Sequence, residues 1–166
     1  LRASTTMAEG GKVHQVVTPR FGRIEFTEQE ILTATVGLFA FEDLKQFLLL
    51  SFPGMEPFHC LQSIEKPEVA FALLDPRVLL PEYKADIPQE VVEELQIENL
   101  DKLKDFVIVT IPSGKPEKMT ANLLAPIVIN LDSRKLKQVV LAAPEYRTRH
   151  SILEILEKGL KTDAGV

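Results

Sequence analysis

Phe106-Val107-Ile108-Val109-Thr110-Ile111 is the segment that most narrows the possible folds. β-branched and aromatic residues fill it, and such side chains favour a pleated, half-buried surface over a helix. Pro112-Ser113-Gly114-Lys115-Pro116 then breaks the chain, and a second apolar β-type run follows from Met119 to Asn130. Strand, turn and strand in that order predict an antiparallel hairpin. The second run carries Asn122 at its heart, Pro126 beyond it and Asn130 at its end. A buried amide without hydrogen-bond partners costs about 1–3 kcal/mol. Asn122 is therefore expected to fasten two hairpins together, or else to offer its amide to a partner. On the first reading, Asn122→Leu costs stability before it costs binding.

Other short β-type runs flank this hairpin. Arg20–Phe26 sets Ile24 and Phe26 on one face, and Gln46–Phe52 contains Phe47-Leu48-Leu49-Leu50 before the turn pair Pro53-Gly54. Pro57–Ile64 and Val69–Leu74 follow. Ile127-Val128-Ile129 pairs in expectation with Leu136–Leu141 through Asp132-Ser133-Arg134-Lys135. Two helices are expected. One covers Ile87–Leu95, with Asp86 as its cap, Pro88 in the first turn and Val91, Val92 and Leu95 on one face. The other covers Ser151–Lys158, with Gly159 as its stop. Many short strands with turn signals point to a mainly β fold: a small antiparallel β-barrel-like domain with short helical insertions and a C-terminal helix. A chain of 166 residues suits one such core. Residues 14–160 read as a single domain. Residues 1–13 read as a disordered N-terminus, with a tag remnant ahead of Met7.

Chemistry is hard to place on these residues. His59-Cys60 would sit on a strand, where neighbours point to opposite faces, so the pair cannot act as base and nucleophile. His14, His59 and His150 are scattered and have no ligand spacing. No glycine-rich phosphate loop exists, and Ser113-Gly114-Lys115 reads as a hairpin turn. No enzyme activity, metal or cofactor is expected. One cysteine allows no intrachain disulfide, which suits a reducing cytoplasm. No apolar run is long enough to span a bilayer.

Charge says more. The net charge is −5. Between Glu82 and Asp105, eight acidic residues face three lysines, so this window reproduces the whole surplus. A solvated helix face is the simplest reading. The functional one is an acidic docking surface, which speeds encounter with a basic partner and is sensitive to salt. Residues 134–161 lean basic but are too mixed for a nucleic-acid patch. A small-ligand barrel would need converging polar groups in a deep pocket. An oligonucleotide-binding barrel would need a basic groove with aromatics. Neither pattern is evident.

Several phrases in order resemble the FliW family of flagellar assembly factors. They are Phe21-Gly22 with Ile24, Gly37-Leu38 before Phe41-Glu42, Pro57-Phe58 before Leu61-Gln62-Ser63, and Ala70-Phe71 before Asp75-Pro76 and Pro81-Glu82-Tyr83. Asn122-Leu123 then precedes Ala125-Pro126-Ile127-Val128-Ile129-Asn130, and Gln138-Val139, Tyr146-Arg147 and Arg149-His150 follow. The resemblance covers about residues 16–153. Two places depart from the family pattern: Phe39-Ala40 stands where Pro-Gly is usual, and Cys60 stands where an aromatic is common.

The resemblance implies a non-enzymatic cytoplasmic protein, monomeric alone, that binds the translational repressor CsrA and keeps it off messenger RNA. It also implies binding of flagellin, so that flagellin synthesis follows export. Direct contact with nucleic acid or membrane is not implied. Glu90, Glu93 and Glu94 are the residues expected to meet CsrA, with Tyr83, Gln62 and Asn122 as further candidates for partner contact. Charge reversal at the three glutamates is expected to weaken binding and flatten its salt dependence. Flagellin's helical, amphipathic ends call for an apolar groove, which the sequence does not place.

Overall fold

Phe47-Leu48-Leu49-Leu50 is too apolar for a strand with one wet face. In the computed structural model, which describes residues 11–164 with side chains through residue 160, both faces of that strand are covered. The strands are β1 (His14–Thr18), β2 (Gly22–Phe26), β3 (Leu32–Ala34), β4 (Gln46–Leu50), β5 (Phe58–Ser63), β6 (Ala70–Leu74), β7 (Leu103–Thr110), β8 (Thr120–Ala121), β9 (Ile127–Asn130), β10 (Lys135–Gln138) and β11 (His150–Ser151). Helix α1 (Gln89–Glu94) lies between β6 and β7, and α2 (Ile152–Ala164) follows β11.

Seven strands close into a barrel in the order β7, β6, β5, β4, β3, β10, β9, with β9 pairing back onto β7. The eight residues of β7 make this closure possible. Leu103–Phe106 pair with β9, and Val109 and Thr110 pair with β8, so one strand serves both the ring and the β8–β11 extension. The expected hairpins β7–β8 and β9–β10 are present, and both are antiparallel. One pairing departs from the all-antiparallel expectation: β3 runs parallel to β10, with Thr33 opposite Lys135 and Ala34 opposite Leu136.

Period-two alternation divides the apolar residues between an inside and two outer faces. Leu32, Phe47, Leu61, Leu73, Phe106, Ile127, Ile129 and Leu136 fill the barrel. Leu48, Leu50 and Cys60 point the other way, under the β1–β2 ribbon with Val16, Ile24 and Phe26. On the far side, Val107, Val109 and Val128 pack outward against Val91 of α1, Leu95 at its C-cap, Leu79 and Tyr83. Strands covered on both faces read as continuous apolar runs, as these do.

Two expectations at the edges need correction. The helix over 87–95 begins later, at Gln89, with Pro88 and not Asp86 in the cap position. A proline there fixes φ and has no N–H to leave unsatisfied. Gly159 does not stop the C-terminal helix, which runs on to Ala164. Residues 11–13 carry no regular structure, and the rest of the expected disordered N-terminus lies outside the described residues.

The Phe39-Ala40 departure keeps its turn. Phe41 N–H donates to Leu38 O at 2.8 Å, and Ala40 has φ 70° in the third position of that four-residue turn. A turn with positive φ at its third residue favours proline then glycine at its centre, which is the family's usual pair. Here Phe39 supplies an N–H that proline lacks, donated to Gln138 Oε1 at 3.1 Å. Alanine in the left-handed region is strained. Ala40→Gly is therefore expected to stabilise the fold by about 1 kcal/mol, read as a higher urea midpoint.

Candidate protein-docking surfaces

Helix α1 is held by one face and presents acid on the other. Val91 and Leu95 are buried against the barrel wall. Gln96 ends the helix with φ 55°. Asn130 Nδ2 donates to Leu95 O at 2.8 Å and to Gln96 O at 3.0 Å, and Ser133 Oγ donates to Leu95 O at 2.8 Å. The helix C-terminus is thus tied to β9 and the turn after it.

Of the three expected contact residues, Glu90 and Glu93 are exposed. Glu94 is half-buried and paired with Lys137 Nζ at 2.6 Å. The hydrogen bond from the Lys137 ammonium holds its carboxyl below the ordinary carboxylate range. Asp105 is likewise engaged, accepting two hydrogen bonds from Arg77 at 2.9 Å. Glu82, Asp86, Glu98 and Asp101 face solvent with Glu90 and Glu93. The acidic window therefore divides into two structural carboxylates and six outward ones.

The remaining candidates serve the fold. Gln62 is buried, and its Nε2 donates to Pro67 O at 2.7 Å, Ser63 O at 3.0 Å and Val69 O at 3.3 Å. It clamps the β5–β6 connection and exposes nothing to a partner. Tyr83 is also buried, its hydroxyl donating to Leu123 O at 2.8 Å and its ring 4.9 Å from Tyr146. Asn122 is half-buried. Its Oδ1 accepts from Ala125 N–H at 3.0 Å, so it caps its own turn and does not join two hairpins. The amide that does reach across the fold is Asn130.

His59 and Cys60 face apart as expected. His59 lies against Phe106, with Nδ1 3.2 Å from Ser51 Oγ, whereas Cys60 lies under the β1–β2 ribbon. Burial pushes the thiol up to about 11, against a smaller opposing effect from Arg20. At neutral pH it is neither a thiolate nor accessible. Among the described residues no group of histidine, cysteine, aspartate and glutamate is placed to hold a metal, and no helix is long and apolar enough to cross a membrane.

A groove of about 820 Å³ opens beside α2. It is lined by Leu79, Leu80, Pro81 and Glu82, by Glu145, Tyr146 and His150, and by Ile155, Lys158 and Gly159 of α2. Tyr146 rests on the buried Tyr83, so that core tyrosine supports the groove from beneath. His150 Nε2 accepts from Arg147 N–H at 2.8 Å, and burial, reinforced by the nearby Arg147 charge, lowers its pKa and favours the neutral ring. Helix α2 is anchored at its start by the buried Ile152, while Leu153, Leu156 and Leu160 are exposed. Packing of this helix within the chain therefore covers only part of its apolar arc. Gly159, expected as the helix stop, instead lies within α2 and lines this groove.

Comparison with known proteins agrees with this architecture. The family model described as FliW protein matches residues 15–152. A flagellar assembly factor FliW from Thermoanaerobacter pseudethanolicus is 42% identical over 144 residues, covering 86% of this chain and 95% of that protein. Another from Bdellovibrio bacteriovorus is 41% identical over 143 residues, covering 86% and 81%. The crystal structure of a flagellar assembly factor FliW superposes with a TM-score of 0.77 at 36% identity, covering 84% of this chain and 96% of that one. The chain belongs to the FliW family, and its role is a non-enzymatic one in flagellar assembly.

Proposed function

We propose that the chain is a cytoplasmic regulator that binds CsrA through its acidic face, lowers CsrA's hold on messenger RNA, and surrenders CsrA when flagellin occupies it. Flagellin synthesis would then track export. Alone, the protein is a monomer. The observation that carries this reading is the outward pair Glu90 and Glu93 on a helix whose inner face and C-terminus are fixed to the barrel. A preset acidic surface beside a cationic RNA-binding protein repels phosphate and attracts the protein itself. Family membership supports the setting in flagellar assembly.

The pairing of Glu94 with Lys137 refines the test. Reversing Glu94 would place a cation against Lys137 and disturb the fold, so it is left intact. Glu90→Lys with Glu93→Lys is expected to weaken CsrA binding roughly tenfold at low salt and to flatten the dependence of affinity on salt. Circular dichroism should show an unchanged fold. Equal affinities for both proteins at low and high salt would overturn the assignment. Flagellin titrated into the preformed CsrA complex tests the exchange, and RNA binding without CsrA binding would reject the regulator reading.

A further inference from the structure

Gly159 lies inside α2, where glycine destabilises a helix relative to alanine. Its own fold gives no reason for it. A Cβ built there meets nothing within 4 Å, and no positive φ requires glycine. The bare position lines the groove together with Ile155 and Lys158 of the same helix. A missing side chain on an open wall lets another backbone approach closely.

The other observations specify the visitor. The wall formed by α2 belongs to a helix of 13 residues, about 20 Å long, which matches three to four turns of a second helix. The groove is open and mostly apolar along Leu79, Leu80, Pro81 and Ile155, unlike an enclosed small-molecule site. Glu82 and Glu145 outnumber Lys158 among the lining charges, which suits a cationic flank on the incoming segment. The uncovered Leu153, Leu156 and Leu160 extend the apolar surface of α2 beyond what the body covers.

We propose that this groove docks an amphipathic helix of a partner protein, with small side chains where it crosses Gly159 and a basic flank toward Glu82 and Glu145. The proposal rests on the reading that the chain works by binding proteins, and flagellin is the probe. The full chain, its Gly159→Ala variant and its Gly159→Leu variant are titrated by calorimetry with purified flagellin and, separately, with CsrA. Open space at the position means that neither variant should disturb the fold, which circular dichroism checks. Gly159→Leu is expected to weaken flagellin binding roughly tenfold or more, with Gly159→Ala intermediate and CsrA binding unchanged.

Unchanged flagellin affinity in Gly159→Leu overturns the groove assignment and leaves the regulator reading standing. Loss of CsrA binding alone also overturns it, as does a wild-type dimer that this substitution converts to a monomer. A wild-type chain that binds neither protein removes the regulator reading, and the groove proposal falls with it.

Discussion

Gly37→Ala is expected to destabilise the fold by about 3 kcal/mol, at the upper end for overpacking. A Cβ at this position would fall on the backbone of Glu42, well inside van der Waals contact, and backbone cannot step aside as a flexible side chain can. Neither flank can retreat. Leu38 is fully buried inside the barrel, and the Phe41 ring stands edge-on to Phe71 at 5.2 Å. Separating the two limbs of this loop would pull an apolar side chain from the core. The effect is read as a shift in urea midpoint with an unchanged slope. A loss below about 1 kcal/mol would mean that the loop opens without disturbing Leu38.

Asn130→Ala is expected to cost about 3 kcal/mol as well, by a different route. The side chain is buried, donates to Leu95 O and Gln96 O, and accepts from Asp132 N–H at 3.0 Å. Ser133 still serves the Leu95 carbonyl after truncation, but Gln96 O and Asp132 N–H lose this partner. Helix α1 should loosen as a unit, since its C-terminus loses this tie to β9. Amide exchange in residues 89–97 should rise more than in the barrel strands, and CsrA affinity should fall with it. Asn122→Leu removes only the local cap on Ala125 N–H and should cost about 1 kcal/mol. Reversed magnitudes would restore Asn122 as the long-range fastener.

Those two asparagines show where sequence reasoning succeeded and where it failed. Both stood out as polar residues in an apolar run. Their roles depended on which one the turn at Leu123–Pro126 would isolate, and that is a tertiary fact. The runs that became β4, β5, β6, β7 and β9 were legible because residues buried on both faces leave continuous apolar stretches. β1 was missed because His14-Gln15-Val16-Val17-Thr18 buries only Val16 and Thr18. β3, with three residues, is too short to show a period.

On the surface, the acidic window was visible as composition. Its division into outward glutamates and the engaged Glu94 and Asp105 was not, because Lys137 and Arg77 lie far away in sequence. The groove was invisible for a related reason: its walls come from residues 79–82 and 155–159, joined only by folding.

The parallel pair β3–β10 places a constraint on the order of events during folding. It joins Ala34 to Leu136, so the ring cannot shut until nearly the whole domain is available. Loop-closure entropy makes so distant a contact costly to form early. Asn130, which steadies α1, lies just ahead of β10. The acidic surface and the lock that orients it therefore mature together, late in folding. A nascent chain stalled before residue 130 would carry all the outward glutamates and yet present no ordered face. Competence to capture a partner would thus report that the barrel has closed, and immature copies would be kept out of the exchange.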